Sequence, residues 1–329
     1  MAETLISPGV LARENDSSQI TSQPVQAGAA IVGPTVKGNV NIPTLVTTYS
    51  EYLANFGSTF TSGSDEYSFL TSISAFNYFQ NGGTSLLVTK VASGSFTSAT
   101  SSLIAASAST NNAFTLETLG EGTLMNSDGT YGTNGTLTNG TTDNVRWEIV
   151  NPDLANGVFS VLIRRGDDTN QNKVILETFT NVSLDPKSPN YVARVIGDQT
   201  QTVQGSGTDV YLQTTGNYPN GSRFVRVSSV DKKTPDYFDN NGVAKNAFTS
   251  SIPLAQTGAF GTATGNIVSG MGAAKYYSEI SNTDTQGLLG TNYTTALNLL
   301  ANKDDYRYNI ITAPGLIYEN GATQKTALN

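Results

Sequence analysis

Near its start this chain sets two short β-prone runs around two amphipathic helical stretches, and that order constrains its fold more than any other feature. Gly28-Ala29-Ala30-Ile31-Val32-Gly33 is apolar, bounded by glycines and followed by Pro34, the pattern of a strand buried on both faces. Thr48 and Glu51 then stand three apart as a capping box. Tyr49, Tyr52, Leu53 and Phe56 recur at helical spacing, and Gly57 closes the stretch. A second helix is expected after Ser64, with Phe69, Leu70, Ile73 and Phe76 as its apolar stripe and Asn81-Gly82-Gly83 as its stop. The β-prone run Leu86 to Val91 follows. Strand, helix, helix, strand is the order of a crossover unit in an α/β sheet.

Between about Ser93 and Ser251 the texture changes to short strands separated by Gly, Asn, Ser and Thr. Phe114 to Thr118, Val145 to Val150, Val158 to Arg164, Val174 to Phe179 and Phe224 to Val230 read as strands of an antiparallel domain. One helical interruption is expected at Asn190 to Ile196. Gly120 to Asp143 is expected to be an exposed or mobile loop, since it has little apolar surface to bury. The α/β texture then returns: Tyr293 to Ala301 reads as helix, Tyr308 to Ala313 as strand, Pro314-Gly315 as turn and Ala322 to Asn329 as the start of another helix. The expected organisation is an extended N-terminal arm over 1–24, an α/β core over 25–92 completed by 251–329, and a large inserted β-rich domain over 93–250. The core is expected to be incomplete at its C-terminal end, as in a fragment of a longer protein.

In the arm, Leu5, Ile6, Val10 and Leu11 flank the turn Pro8-Gly9 and are too few to form a core alone, so they are expected to bury against another surface. The rest of the chain excludes several functions. It has 18 Lys and Arg against 26 Asp and Glu, a net charge of −8, which is the wrong sign for gripping nucleic acid. Cys and His are both absent, removing thiol nucleophiles, imidazole acid–base chemistry, the usual zinc sites and disulfides. No basic region precedes an apolar core at the N-terminus, and no apolar run approaches membrane-spanning length.

The remaining motifs read as structural. Asp167 to Asn172 places oxygen atoms at alternate positions from Asp168, but Lys173 stands where a calcium loop needs Gly and Phe179 where it needs a bidentate Glu, so a turn is expected. Gly270-Met271-Gly272 with Lys275 lacks the spacing of a phosphate loop. Glu117 and Glu121 flank Leu119-Gly120 without an evident apolar pocket to separate their acidities. Arg164-Arg165 and Asp231-Lys232-Lys233 are expected to be solvated strand ends and turns, and Trp147 a core residue. No catalytic, cofactor or metal residue is assigned.

Taken in order, Ser7-Pro8-Gly9-Val10, Glu14 with Ser17, Ala30 to Gly33, Gly38 to Pro43, Tyr49 with Phe56-Gly57, and Tyr78-Phe79 through Asn81-Gly82-Gly83 to Val88 resemble the tail sheath proteins of contractile-tailed bacteriophages. The resemblance covers residues 4 to 92 and resumes at Tyr306 to Gly315. It implies a non-enzymatic structural subunit of the phage tail, assembled in the host cytoplasm and stacked as six-membered rings around the tail tube. Its implied partners are other sheath subunits, the tube, the baseplate and the tail terminator, with no direct nucleic-acid contact and no membrane insertion. It also implies that the arm, Leu5, Ile6, Ser7, Pro8, Gly9, Val10 and Leu11, adds a strand to a neighbouring subunit, and that contraction drives the tube through the host envelope. The composition of the β-rich segment leaves a glycan-binding adhesin as the alternative. A polysaccharide-degrading enzyme would need paired acids that do not stand out.

Overall fold

A computed structural model describes residues 25–62, 65–106, 111–266, 280, 285–318 and 322–328. The arm residues Leu5 to Leu11 and the Gly270-Met271-Gly272 segment with Lys275 lie outside the described residues. The protein is a mixed α/β structure, mostly sheets with few helices.

The first strand, β1 (Val25–Gly33), is followed by the short β2 (Thr44–Val46), helix α1 (Tyr49–Phe56), a hairpin of β3 (Thr59–Ser62) and β4 (Asp65–Ser68), helix α2 (Leu70–Gln80) and strand β5 (Leu86–Lys90). β1 and β5 run parallel and adjacent, with Ile31 opposite Val88, and β2 pairs antiparallel on the outer side of β5. Alternate side chains of these strands serve opposite faces, as the two-residue period of a pleated strand requires. Ala29, Ile31, Leu86 and Val88 pack with Tyr52 and Phe56 of α1 and Ala75 of α2, whereas Ala30, Val32 and Leu87 join the core on the other side.

Local chemistry sets α1 as expected. Thr48 accepts a hydrogen bond from the Glu51 amide at 3.1 Å, and Gly57, at φ 68° and ψ 174°, ends the helix in a backbone conformation that favours glycine. The returning half of the capping box goes one residue further out: the Glu51 carboxylate accepts from the amide and hydroxyl of Thr47. α2 keeps only part of its expected stripe: Phe69, just before the helix, is fully buried. Ile73 and Phe76 are 45% and 41% exposed, and the face turned inward is Thr71, Ser72 and Ala75. The cause is close approach, since a Cβ added at Gly33 of β1 would lie 2.4 Å from Thr71 Oγ1. A helix packed that tightly has room only for small side chains beneath it.

The β-rich part contains β6 (Ser98–Ser101), β7 (Phe114–Glu121), β8 (Val145–Asp153), β9 (Val158–Arg165), β10 (Ile175–Ser183), the short helix α3 (Val192–Ile196), β11 (Thr200–Gln204), β12 (Tyr211–Thr215) and β13 (Val225–Val230). The short α4 (Asn246–Thr249), β14 (Gln256–Gly258) and β15 (Phe260–Gly261) complete it. Two four-stranded antiparallel sheets form, in the orders β10-β9-β8-β14 and β13-β7-β6-β15. Their shared core takes Phe114 and Leu116 from β7, Trp147 and Ile149 from β8, Phe159, Val161 and Ile163 from β9, and Val192 and Ile196 from α3. Trp147 is a core residue, and its indole N–H donates to the Ala259 carbonyl at 3.2 Å.

The Gly120 to Asp143 tract is more tightly held than its composition suggests. Both Ser127 and Asp128 donate their amides to the Phe260 carbonyl, and Ser127 Oγ accepts from the Phe260 amide. Met125 and Leu137 are buried, while residues from Asp128 to Asn134 face solvent.

Helix α5 (Thr294–Leu300) and strand β16 (Tyr306–Thr312) return the chain to the first sheet, and α6 (Ala322–Leu328) follows. β16 pairs parallel with β1, giving the order β16-β1-β5-β2. Ala296, Leu299 and Leu300 of α5 cover the face opposite α1 and α2, so the sheet is sandwiched between helical layers. The β11–β12 hairpin reaches this same core: Val210 belongs to it, Val203 and Leu212 pack against it, and Asn298 Nδ2 of α5 donates to the Gly207 carbonyl at 2.7 Å.

Candidate functional site

Two surfaces of the α/β part are built unlike ordinary solvent-facing surfaces. The first is the edge strand β16. One side of it is paired with β1; the other has no strand partner among the described residues. Ile310 and Ile311 on this strand are 65% and 40% exposed, and Leu289, Ile317 and Tyr318 add exposed apolar surface elsewhere in this closing part of the chain. An edge that is apolar and unpaired is a template for another strand unless charge or a bulge blunts it. Arg307 is the only charged residue of β16.

The second surface is the outer side of α2. No residue from Leu70 to Gln80 is charged. Phe76 packs edge-on against Tyr49 at 5.1 Å between ring centres, and Ile73 lies three residues earlier on the same helix. The N-terminus of this helix is tied down from far away. Gln286, wholly buried and at φ 56°, accepts from the Leu70 amide at 2.9 Å and donates to the Pro314 carbonyl at 2.9 Å, linking α2 to the turn after β16.

The motifs weighed as possible chemistry resolve as follows. Asp168 is buried, and its two oxygens accept from Arg164 Nε at 2.7 Å and Nη2 at 2.8 Å, while the Val174 amide donates to it at 2.9 Å. The turn expected at Asp167 to Asn172 is present, and its one buried residue, Asp168, anchors a buried arginine while Asp167 and Asn170 to Asn172 stay exposed. Arg164 is not the solvated strand end expected from sequence: it is fully buried, directly opposite the equally buried Arg146 in the β8–β9 register. Like charges facing one another across strands repel. Asp168 offsets this from one side and Glu148 from the other, the latter accepting from Arg164 Nη1 at 3.0 Å and from Lys173 at 2.7 Å. Burial, then the neighbouring Arg164, lowers the pKa of Arg146, and Asp168 opposes that shift.

Alternation in the sequence carried the clue to this cluster. Arg146 and Glu148 alternate with the core residues Trp147 and Ile149, so they share the opposite face of β8, and Arg164 falls on the same side of β9. Glu117 and Glu121 do not act as a pair. Glu117 is ion-paired to Arg226, while Glu121 accepts from the Val40 amide at 3.0 Å, and burial raises its pKa. The Asp231-Lys232-Lys233 turn is solvated, as expected. Among the described residues no group of three or more His, Cys, Asp and Glu is placed to hold a metal ion, and no helix is long and apolar enough to cross a membrane.

Lys90, at the end of β5, is 1% exposed, and its ammonium donates to the Gly38 carbonyl at 3.1 Å and sits 4.9 Å from the centre of the Phe96 ring. Burial lowers its pKa to about 8 against the opposing charge of Glu121. Between the α/β and β-rich parts lies a cavity of about 310 Å³ whose lining includes Asn39, Thr118, Glu121, Gln199 and Arg226.

No protein-family model matches the chain, and no curated protein matches it significantly. Solved structures do. The sheath tail protein of Listeria innocua aligns at a TM-score of 0.40 and 8% identity, covering 94% of this chain and 44% of that one. The sheath tail protein of Desulfitobacterium hafniense aligns at a TM-score of 0.33 and 11% identity, covering 97% of this chain and 60% of that one. The chain is similar in structure to sheath tail proteins. It spans less than two thirds of either relative's length.

Proposed function

We propose that this chain is a structural subunit of a contractile phage tail sheath, with residues 25–92 and 251–329 forming its core, 93–250 an outward-facing insertion and 1–24 a linking arm. The observation that carries this reading is the open edge of β16 with Ile310 and Ile311 exposed, in a sheet whose next strand, β1, directly follows the arm. The chain thus combines an apolar arm that needs a surface with a strand edge that needs a partner. In a ring of identical subunits, Leu5 to Leu11 of one copy adds to a sheet edge of the next, and main-chain hydrogen bonds supply the affinity. Rings of six then stack around the tail tube, and contraction is a rigid-body exchange between two packings, with the arms keeping neighbours joined. The action is mechanical and calls for no cofactor.

Electron microscopy of the concentrated protein tests this. Stacked six-fold rings or hollow tubes are expected, and Leu5→Asp is expected to abolish them while leaving the subunit folded. Assemblies unchanged by Leu5→Asp would refute the role of the arm. Monomers that instead bind glycans through residues 93–250 would refute the sheath reading.

A further inference from the structure

An asparagine followed by glycine is chemically labile, because with no Cβ on the next residue the following amide nitrogen can reach the asparagine side-chain carbonyl carbon. The sequence has seven such pairs. Asn320-Gly321 lies outside the described residues; the other six begin at Asn81, Asn134, Asn139, Asn156, Asn220 and Asn241. Attack requires the glycine amide to leave its hydrogen bond and the asparagine side chain to turn, so the fold decides which of the six reacts.

Five of them are restrained. Asn220 is held at both ends of its side-chain amide, Oδ1 accepting from the Gln199 amide at 3.1 Å and Nδ2 donating to the Gln199 carbonyl at 2.8 Å, and the Gly221 amide donates to the distant Ile196 carbonyl at 2.9 Å. Asn81 Nδ2 donates to the Asn77 carbonyl and Asn156 Nδ2 to the Asp153 carboxylate, both at 2.7 Å. Asn134 and Asn139 lie in loops pinned from elsewhere. The Asn134 carbonyl accepts from the Asn170 amide at 2.7 Å, and the Gly135 carbonyl from the buried Arg146 at 2.6 Å. The Asn139 carbonyl accepts from the buried Asn144 at 2.8 Å, and Gly140 is packed so closely that an added Cβ would lie 2.1 Å from the Gly166 carbonyl oxygen. Asn241 has none of these restraints. It is exposed, its side chain makes no hydrogen bond among the described residues, and Gly242, at φ 78°, has open space around it. The hydrogen bonds of this turn start and end within Asp239 to Val243: the Asn241 and Val243 amides donate to the Asp239 carboxylate, the Gly242 amide to the Asp239 carbonyl, and the Asp239 amide to the Val243 carbonyl. A turn closed only on itself opens locally at little cost.

We propose that Asn241 is the site at which the folded chain converts, without an enzyme, to aspartate and isoaspartate. The Gly242 amide nitrogen gives up its proton to water or hydroxide and attacks Asn241 Cγ. The new C–N bond closes a five-membered imide, the Cγ–Nδ2 bond breaks, and ammonia leaves with a proton from solvent. Water then opens the imide, at the side-chain carbonyl to give aspartate or at the main-chain carbonyl to give isoaspartate. One water is consumed and one ammonia released, with no change of oxidation state. Either product sets a second carboxylate beside Asp239, and isoaspartate also adds a methylene to the main chain, which moves the Gly242 amide away from its acceptor. The exposed turn thus changes charge and shape, whether or not the chain is a sheath subunit.

Peptide mapping of the full folded chain, incubated in mildly alkaline buffer, tests this. Trypsin releases residues 234–245, which contain no other Asn-Gly pair. That peptide is expected to gain the mass of an acid in place of an amide, in two chromatographic forms. It should do so several-fold faster than the peptides holding Asn81, Asn156 or Asn220, the margin that one or two further hydrogen bonds supply when opening must precede attack. In guanidinium chloride the six pairs should convert at similar rates. Any of the other five outpacing Asn241 in the folded chain overturns the proposal, as does an intact 234–245 peptide after the unfolded chain has converted. Conversion of that peptide persisting in Asn241→Ser would place the reaction at Asn240 and overturn it too.

Discussion

Replacing Asp168 by asparagine tests how the β-rich part tolerates buried charge. The side chain keeps its size, so no cavity opens, but the cluster loses half of its negative charge. Arg146 and Arg164, facing each other across β8 and β9 with no exposure, would then share Glu148 alone with Lys173. Two charge-assisted bonds to Arg164, at 2.7 and 2.8 Å, would become at best one neutral acceptor contact and one clash of donors. Removing one partner from a buried ion pair costs about 3–5 kcal/mol, because the other charge stays buried without compensation. With a urea dependence of about 3 kcal/mol per molar for a chain of this size, the unfolding midpoint should fall by roughly 1–1.7 M. Urea titration followed by Trp147 fluorescence measures it directly, since that indole lies in the adjacent core. The same experiment on Asp167→Asn, at the partly exposed neighbouring position, should show a change of about 0.5 kcal/mol or less. A loss below about 1 kcal/mol for Asp168→Asn would refute the view that this carboxylate holds the two arginines in place.

Other expectations follow from the same reasoning. Gly33→Ala should destabilise the chain by about 1–3 kcal/mol through contact with Thr71 Oγ1, and adding Thr71→Ala should restore most of it in denaturant titrations. Gln286→Ala strands the Leu70 amide and the Pro314 carbonyl; a loss of about 2 kcal/mol or more is expected, with faster hydrogen exchange at Leu70, and unchanged exchange there would refute its role as a cap. Ile310→Lys should leave subunit stability within about 0.5 kcal/mol but prevent assembly seen by electron microscopy; altered stability with intact assembly would reverse the assignment of that edge. Burial holds the folded-state pKa of Lys90 at about 8, below the usual lysine value of 10.5, so between those two pH values the unfolded chain binds more protons and stability should rise with pH. The gain across that window should be about 3 kcal/mol, and it should vanish in Lys90→Met.

How much of this was legible in the sequence depended on whether the governing contact was local. The five strands expected between Phe114 and Val230 appear: β7 alternates the core residues Phe114 and Leu116 around Thr115, whereas β9 is buried along nearly its whole length and shows itself as a run of β-prone apolar residues. Helix α1 was legible down to its cap because Thr48 and Glu51 are three residues apart. The face of α2 was not, because burial there is decided by the absence of a side chain at Gly33, on a strand nearly forty positions earlier. Arg164 was misread for a similar reason: Asp168 is close by in sequence, but Arg146 and Glu148 come from another strand. The hairpin of β11 and β12 escaped notice because Thr200 to Gln204 is almost wholly polar, with Val203 its only apolar residue. Of the candidate site, the β16 strand could be read from Tyr308 to Ala313, but its position at the edge of the sheet could not, since that follows from where β1 and β5 pair.

That hairpin bears on any attempt to treat the β-rich segment as a cassette. Val203, Val210 and Leu212 fill space beneath α5, and Asn298 is tied to the hairpin tip. Excising residues 93–250, or grafting in the equivalent segment of a relative, would therefore strip packing from the part left behind. The two regions should melt in one transition, and swaps between relatives should succeed only where the hairpin and the α5 surface are exchanged together.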